Sequence, residues 1–379
     1  MSRGAQRLTP AALNRALLAR QGLLDRLDAP LVEAVEAIGA VQAQHWPAVP
    51  IALWSRVAGF QPADLYAALD DGELVTGTLL RTTLHLVSAR EHQTYAAVAA
   101  AVADWRRSKA EASAEARRLL AALVAHARRT ARTSDDLAAF AEAWVEAHPG
   151  ALHADEVEAQ RSRQWRALMR WPGFVRVPGD GGFGPKAPGA LRAAPKPRRA
   201  IAPHAALDEA VLRHLRAFGP AGAEDVAGWI GWPTPPVRAA LARTEPRLVL
   251  FEDERGQTLH DLPDAPRPDP ETPAAPRLLA PFDSVLLAYG PKRRARILPD
   301  EHRDAVYERR NLRILPTYLV DGRVAGTWKM EVKRREAVVT LSPLEKLSRA
   351  SRAALVDEAE RLARAVAPEA GAHGATVAR

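Results

Sequence analysis

The sequence predicts a mostly helical α+β protein, and three observations lead to this prediction. The 379 residues are 47% hydrophobic and 26% charged, which is the composition of a globular chain with roughly two to four domains. Groups of two or three amphipathic helices recur along the chain, and each group is followed by a short pair of strands. Residues with strand preference dominate Ile314–Leu341. We interpret this pattern as tandem winged-helix units followed by a C-terminal β-rich segment.

The first predicted unit covers residues 1–100. A Thr-Pro step, which is typical of a helix start, precedes a helix predicted over Pro10–Arg20. A second helix is predicted over Ala29–Ile38 and ends at Gly39. Threonine, valine and leucine alternate within Glu73–Ala89, and this alternation predicts a hairpin.

The second predicted unit covers residues 101–186. Helices are expected near Ala114–Arg128, Ser134–Ala147 and Asp155–Trp171, and Phe174–Val177 with the Gly-rich turn Gly179–Gly184 is expected to form a wing. The third helix of this unit occupies the position of the recognition helix in a winged-helix domain, and it is rich in arginine. We expect DNA contacts from Arg161, Arg163 and Arg166.

The third predicted unit lies within residues 187–265. Ala187–Pro203 is rich in proline and basic residues and is predicted as a linker. The sequence from His204 to Leu262 predicts three helices, with a turn at Gly219-Pro220, and then a wing. Residues 266–379 form the basic β-rich segment, and its final helix is expected to begin at Ser342-Pro343-Leu344.

Composition and motifs exclude several classes of protein. There is no cysteine, which removes disulfides, thiolate zinc sites and cysteine nucleophiles. The longest apolar run, Ala96–Ala103, is far shorter than the roughly 20 residues of a spanning helix. No phosphate-binding loop, dinucleotide fingerprint or zinc-protease motif is present. We therefore expect a cytoplasmic protein that is not a membrane protein and has no cofactor or metal.

The positive charge is concentrated near the C-terminus. The chain carries a net charge of +8, and Ser284–Arg335 contains 13 basic and six acidic residues. A GC-rich codon preference would also raise the arginine content, but it would spread the charge evenly. The local excess favours a nucleic-acid partner. The residues expected to contact DNA in this stretch are Lys292, Arg293, Arg294, Arg296 and Lys329.

Two glutamines two residues apart form the most informative motif. Gln42 and Gln44 lie in VQAQHW, between the helix end at Gly39 and the helix-breaking Pro47. In extended backbone, residues i and i+2 share a face, so both carboxamides would point the same way. An isolated pair of this kind is usually no more than the polar end of a helix.

The surrounding residues change this interpretation. The segments IGAVQAQHWPAVPIALWSRV, RTTLHLVSA, PFDSVLLAY and ILPTYLVDGRVAGTWK occur in an order and spacing that resembles the winged-helix DNA glycosylase family of the AlkZ/YcaQ type. The resemblance implies hydrolysis of the N-glycosidic bond of alkylated purines in double-stranded DNA, with catalytic Gln42 and Gln44. The sequence shows no heptad pattern or dimer helix, so we expect a monomer. Glutamine at the second position is closer to the branch linked to bulky adducts and interstrand crosslinks.

The resemblance also implies a set of supporting residues around the two amides. For the two histidines a hydrogen-bonding or core role is favoured over catalysis, and the arginine either contacts phosphate or supports the site. Asp283, in an apolar stretch, would pair with an arginine or face the site, because an unpaired buried carboxylate is costly. The site-supporting set is His45, Arg81, Thr83, His85 and Asp283.

The chemistry can also be considered from the residues themselves. A purine alkylated at N7 or N3 is cationic and leaves as a neutral base, so no strong general acid is required. A glutamine carbonyl can orient the attacking water but cannot deprotonate it. A DNA-binding regulator without catalysis is the main alternative, and it would not explain the glutamine pair. An RNA-processing enzyme is disfavoured because no aromatic RNA-binding signature is present.

Overall fold

The computed structural model describes residues 6–107, 114–177, 189–195, 200–290, 293–308, 310, 313–333 and 335–378. The chain forms two compact units, one from Met1–Ala68 with Val211–Arg379 and the other from Leu69–Ala210. The first unit is therefore assembled from both ends of the sequence. The predicted division into four consecutive parts remains a prediction. The architecture is α+β, as predicted.

The N-terminal part of the first unit begins with a capped helix. The hydroxyl of Thr9 accepts a hydrogen bond from the backbone N–H of Ala12 at 3.2 Å, as the Thr-Pro step predicts. Gly39 ends the second helix in a left-handed conformation, with φ of 80°. The elements are β1 (Gln6–Arg7), α1 (Pro10–Arg20), α2 (Leu31–Ile38), β2 (Val41–Gln42), α3 (Ala48–Trp54) and α4 (Pro62–Asp70).

The second unit contains the predicted hairpin and a group of helices. Its elements are β3 (Leu74–Thr78), β4 (Leu84–Ser88), α5 (Ala89–Arg107), α6 (Ala114–His126), α7 (Ser134–Ala147), α8 (Ala154–Arg161), α9 (Arg166–Met169), β5 (Phe174–Val177) and β6 (Ala190–Ala193). The strands pair antiparallel in the order β4-β3-β5-β6. Leu119, Leu123, Leu137 and Phe174 lie in the core on which the helices pack.

The predicted continuous helix over Asp155–Trp171 is wrong. The helix ends at Arg161, and Gln164 and Trp165 adopt left-handed backbone conformations before α9 begins. The indole of Trp165 is buried in the core, and its Nε1 donates to the carboxylate of Glu142 at 2.7 Å. Burial of this large ring with its polar atom satisfied outweighs the preference of the segment for one helix.

The predicted linker Ala187–Pro203 is also not entirely a loop. Within it, β6 pairs with β5 along four residues, from Phe174↔Ala193 to Val177↔Ala190. The pairing partner supplies the strand, because Ala190–Ala193 has little strand preference of its own. The predicted turn Gly179–Gly184 lies outside the described residues.

The prediction for His204–Leu262 is confirmed at the level of its elements. They are α10 (Pro203–Phe218), α11 (Ala223–Ile230), α12 (Thr234–Thr244), β7 (Val249–Glu252) and β8 (Thr258–Asp261). Asp225 caps α11 by accepting from the N–H of Gly222 at 3.0 Å. The hairpin β7-β8 gains a third strand, because the short β1 pairs in parallel with β7.

The C-terminal part is built on a five-stranded sheet in the order β15-β14-β13-β12-β9. Its elements are β9 (Arg277–Leu279), α13 (Ser284–Leu287), α14 (Arg303–Val306), β10 (Tyr307–Glu308), β11 (Arg313–Ile314), β12 (Thr317–Val320), β13 (Arg323–Lys333), β14 (Glu336–Pro343), α15 (Arg349–Val366) and β15 (Ala372–Val377). Ser342 and Pro343 belong to β14, where they pair with β13, so the final helix starts later than predicted, at Arg349.

Among the described residues, no helix combines the length and apolar character that crossing a membrane requires.

Candidate active site

The segment between α2 and α3 presents the two glutamines. Val41 and Ala43 are buried, with 5% and 3% of their surface exposed, whereas Gln42 is half-buried and Gln44 is exposed. This alternation is typical of extended backbone, in which residues two apart share a face. Gln42 lies in β2, and Gln44 follows in the bend that leads to Pro47. Extended backbone is the conformation in which the amide side chains of Gln42 and Gln44 can lie on a common face.

The side chain of Gln42 lines a small recess, which we call the amide recess. Its free volume is about 10 Å³, which is at the lower limit of the room that a single water molecule requires. The Oε1 atom of Gln42 is buried and accepts no hydrogen bond from another described residue. The residues that line the amide recess are Gln21, Ile38, Val41, Gln42, Ala48, Ala52, Arg56, Ala280, Pro281, Phe282, Asp283 and Ser284.

An ion pair closes one wall of the amide recess. Nη2 and Nη1 of Arg56 donate to the two carboxylate oxygens of Asp283 at 2.7 and 3.0 Å, and both side chains are almost fully buried. Asp283 Oδ1 also accepts the backbone N–H of Val285 and so caps α13. The sequence left two alternatives open for Asp283. In the structure Asp283 both pairs with an arginine and lines the recess.

A second layer of hydrogen bonds ties the ion pair to the glutamine segment. Nε of Arg56 donates to Oε1 of Gln21 at 3.4 Å, and Nε2 of Gln21 donates to the carbonyl of Ile38 at 2.9 Å. The hydroxyl of Ser284 donates to the carbonyl of Ala40 at 3.3 Å. The two acceptors are the last residue of α2 and the residue before β2, so this network fixes the backbone that leads to Gln42.

His45 lies beside Gln44 at the surface. Partial burial and the nearby cation of Arg313 lower the pKa of His45 below its usual value. The next residue, Trp46, donates from its indole to the hydroxyl of Tyr66 at 3.3 Å. A neutral His45 therefore borders the glutamine segment over the physiological pH range.

The predicted supporting residues of the β3-β4 turn lie in the second unit. Nη2 of Arg81 lies 3.3 Å from Nε2 of His85, and Nδ1 of His85 lies 2.9 Å from the carbonyl of Thr83. Because a guanidinium only donates, the ring proton of His85 must be on Nδ1. Burial, followed by the Arg81 cation, lowers the pKa of His85 to about 3, and burial lowers the pKa of Arg81 to about 10.

This turn has an unusual backbone conformation. Arg81 and Thr82 have φ values of 53° and 60°, which residues other than glycine rarely adopt. Thr83 follows in extended conformation, and its hydroxyl donates to the carbonyl of Leu80 at 3.1 Å. Thr83 and His85 thus hold the turn that presents Arg81.

The basic residues expected to contact DNA near Gly290 are mostly engaged within the protein. The guanidinium of Arg293 lies 3.2 Å from Asp225 and 3.5 Å from Asp253, and it donates to Gln257 at 2.8 Å. Arg294 donates to the carbonyl of Tyr289 at 3.0 Å. Charge density in the sequence does not reveal such internal pairing.

Arg296 is the most buried member of this group, with 4% of its surface exposed. Its guanidinium lies 4.1 Å from the ring centre of Tyr289 and donates to the carbonyl of Pro220 at 3.0 Å. This position gives Arg296 a structural role, so we no longer expect it to contact phosphate. Lys292 lies outside the described residues.

The remaining predicted DNA-contact residues are at the surface. Arg161 donates to Glu142, with its shortest contact at 2.7 Å, and this carboxylate raises the pKa of Arg161. Arg163 and Arg166 are exposed, but they lie on either side of the helix break. Lys329 on β13 is exposed and lies 3.2 Å from Glu331. Among the described residues, no cluster of side chains suited to hold a metal ion is found.

Sequence reasoning did not assign Arg56, Gln21, Ser284 or Arg313 to the site. Arg56 stands in the apolar run IALWSRV, and a charge inside such a run signals a buried partner. No spacing in the sequence identifies Asp283 as that partner.

Comparison with known proteins defines the class of this protein as a DNA glycosylase, a hydrolase of the N-glycosidic bond. Residues 35–365 match the family described as DNA glycosylase AlkZ-like, and the chain belongs to this family. The fold is similar to that of the Streptomyces sahachiroi DNA glycosylase AlkZ, with a TM-score of 0.80 and 20% sequence identity. The similarity covers 98% of this chain and 100% of that chain. No curated protein matches the chain by sequence.

Proposed function

We propose that this protein is a monofunctional glycosylase that releases cationic alkylated purines, such as N7-alkylguanine and N3-alkyladenine, from double-stranded DNA. The observation that carries the proposal is the buried, unpartnered Oε1 of Gln42 at a recess of single-water size. Gln44 supplies the second amide from the exposed side of the same segment. Together they would hold the water that attacks C1′ of the damaged nucleotide.

The charge state of the amide recess supports this choice of substrate. Asp283 is the one carboxylate among the described residues that line the recess, and both of its oxygens are held by Arg56. It is therefore not available as a general base, and an amide cannot act as one. Such a site orients water without deprotonating it, so it requires a base that is already a good leaving group. A cationic alkylated purine departs as a neutral base and meets this requirement.

The arrangement of elements supports binding to a duplex. The group α10, α11, α12 with the hairpin β7-β8 has the element order of a winged helix, and the group α6, α7, α8 with β5-β6 repeats this order in the second unit. We propose that these groups are winged-helix units that bind the duplex. Glutamine at both motif positions leads us to include bulky adducts and interstrand crosslinks among the substrates.

The substrate range tests the proposal. Pure protein is incubated with duplexes that contain N7-methylguanine, N3-methyladenine, uracil or 8-oxoguanine, and the released bases are quantified by mass spectrometry. We expect release of the two alkylated purines and no release of uracil or 8-oxoguanine. Robust release of uracil, whose leaving group is not cationic, would rule out a site that works without acid or base.

A further inference from the structure

A groove in the first unit is large enough to hold a small molecule. It lies between α11, α12, β8 and the turn at Gly290, and its volume is about 810 Å³. We call it the α12 groove and define it by Leu241, Glu245, Thr258 and His260, which line it. Ligand sites in proteins commonly have volumes of about 300–1,000 Å³. The α12 groove shares no lining residue with the amide recess, so it is a separate feature of the molecule.

One face of α12 forms the first wall of the groove. Arg238, Leu241, Ala242 and Glu245 line it, and their spacing of i, i+3, i+4 and i+7 places them on the same side of the helix. Leu241 is buried, whereas Ala242 and Glu245 are exposed. The wall therefore has an apolar middle, with a charged side chain at each end.

The opposite wall is fixed around Arg293. Its guanidinium lies 3.2 Å from the carboxylate of Asp225, which also accepts the backbone N–H of Gly290 at 2.9 Å. The approach of Arg293 requires a glycine at position 222, because a Cβ there would lie 2.8 Å from Nη1 of Arg293. This wall is held by the folded chain itself, so the groove is present before any ligand binds.

The charges that line the groove favour a cation. The carboxylates are those of Glu224, Asp225 and Glu245, and the guanidiniums are those of Arg238 and Arg293. Arg238 pairs with Glu224 at 2.7 Å, and Arg293 pairs with Asp225. Glu245 forms no ion pair with any residue that the structure describes. A cation would thus meet an unpaired carboxylate, whereas an anion would meet only guanidiniums that already have partners.

His260 adds a polar atom to the same wall as β8. Its backbone N–H donates to the carbonyl of Ala221 at 2.9 Å, which fixes the strand against the start of α11. The Nδ1 atom of His260 is buried and has no hydrogen-bond partner among the described residues. Burial lowers the pKa of His260, and the carboxylate of Glu245 acts in the opposite direction, so the ring and this carboxylate are near each other.

We propose that the α12 groove binds a small organic cation with an apolar ring. Its ammonium group would lie beside Glu245, and its ring would pack on Leu241 and Ala242. An N–H of the ring would supply the missing partner of His260, since an unpaired buried polar atom is costly. The inference does not depend on the proposed function, because it concerns residues outside the amide recess.

Three probes that share an indole ring test the proposal. Tryptamine, tryptophol and indole-3-acetate carry charges of about +1, 0 and −1 near neutral pH, and their binding to the native protein is measured by isothermal titration calorimetry. Tryptamine should bind with a Kd of about 1 mM or below, and indole-3-acetate at least about tenfold more weakly. The chain has a net charge of +8, which would favour the anion at a non-specific surface. Preference for the cation would therefore identify a local site.

A pair of substitutions on α12 tests the position of the site. Ala242 and Ala239 are both exposed, but only Ala242 lines the groove. Ala242→Trp should fill the groove and weaken binding of tryptamine at least about tenfold, whereas Ala239→Trp should bind it like the native protein. Thermal unfolding should show nearly native midpoints for both variants, because both side chains are at the surface.

A second pair of substitutions tests the charge. Glu245→Gln should weaken binding of tryptamine by about two- to fivefold and leave that of tryptophol unchanged. Glu369 is exposed and lies outside the groove, so Glu369→Gln should change neither. His260→Phe keeps the ring and removes its nitrogens, and it should weaken tryptamine and tryptophol alike.

Several results would overturn the site. They are an absence of tryptamine binding at about ten times the expected Kd, equal or tighter binding of indole-3-acetate, or native binding of tryptamine by a folded Ala242→Trp variant. Equal effects of Glu245→Gln and Glu369→Gln would show that no local carboxylate holds the cation. None of these results bears on base release, which is measured with DNA and without the probes.

Discussion

Arg56 and Asp283 are 227 positions apart in the sequence and form a buried, bidentate ion pair at the wall of the amide recess. The pair joins the segment just after α3 to the N-cap residue of α13. Arg56 also donates to Gln21, and Ser284, the neighbour of Asp283, donates to the carbonyl of Ala40 before β2. The position of Gln42 therefore depends on a contact between distant parts of the chain.

Removing the charge of only one partner of the Arg56–Asp283 pair should destabilise the protein. In Asp283→Asn the guanidinium of Arg56 would be left buried without a counter-charge, which typically costs about 3–5 kcal/mol. Urea unfolding measures this loss in the free energy of unfolding. The exposed pair Arg364–Glu360 offers a control, since Glu360→Gln should change stability by less than about 0.5 kcal/mol. Equal effects of the two substitutions would contradict a structural ion pair at Asp283.

Replacing both partners separates stability from positioning. In Arg56→Met/Asp283→Leu no charge is left unpaired, so the stability should be closer to that of the native protein than to that of Asp283→Asn. The hydrogen bonds to Gln21 and Val285 are lost, however, and a small displacement of Gln42 should lower single-turnover base release by about 10- to 100-fold. Release at the native rate in a folded double variant would show that the pair only stabilises the fold.

Acid should destabilise the second unit through His85. Its pKa is about 3 in the folded protein, below the usual value of 6.5, so below pH 6.5 the unfolded chain binds a proton that the folded chain excludes. Stability therefore decreases as the pH falls, by about 2 kcal/mol between pH 7 and pH 5 from this group. His85→Gln should remove that part of the decrease in urea unfolding, whereas substitution of the exposed His148 should not. An unchanged slope in His85→Gln would argue against a buried, neutral imidazole.

Arg296 should respond to substitution as a structural residue rather than as a DNA contact. Arg296→Ala removes a buried stacking contact with Tyr289 and a hydrogen bond to Pro220, which together are worth about 2–4 kcal/mol. For this variant we expect a lower midpoint of thermal unfolding. The dependence of its DNA binding on salt concentration should be unchanged. If Arg296→Ala instead unfolded at the native midpoint and its DNA binding depended less on salt concentration, Arg296 would be a DNA-contact residue.

Local signals in the sequence predicted many elements of this fold. The helix over Ser134–Ala147 has the predicted bounds, because its cap and its apolar spacing are both local. The helix break at Gln164 and Trp165 depends on burial of one ring against Glu142, and β6 depends on its partner β5. Neither contact can be recognised from residues that are close in sequence.

The same distinction between local signals and tertiary contacts applies to the candidate site. The two-residue spacing of Gln42 and Gln44 meant that both amides would share a face if the segment were extended, and the structure places Gln42 in a strand. The pairing of Asp283 with Arg56 was one of two open alternatives, because it is formed by the tertiary fold. The basic residues near Gly290 illustrate the limit of composition, since the same arginine content includes buried Arg296 and exposed Arg313.

The most direct measurement is single-turnover release of N7-methylguanine from a duplex by the native protein, Gln42→Ala and Gln44→Ala, with the Kd for the same duplex measured in parallel. If the two amides orient the attacking water, each substitution should lower the release rate by at least about 100-fold while the Kd changes by less than about threefold. Release by both variants at rates near that of the native protein, with unchanged DNA binding, would contradict the central role of the glutamine pair.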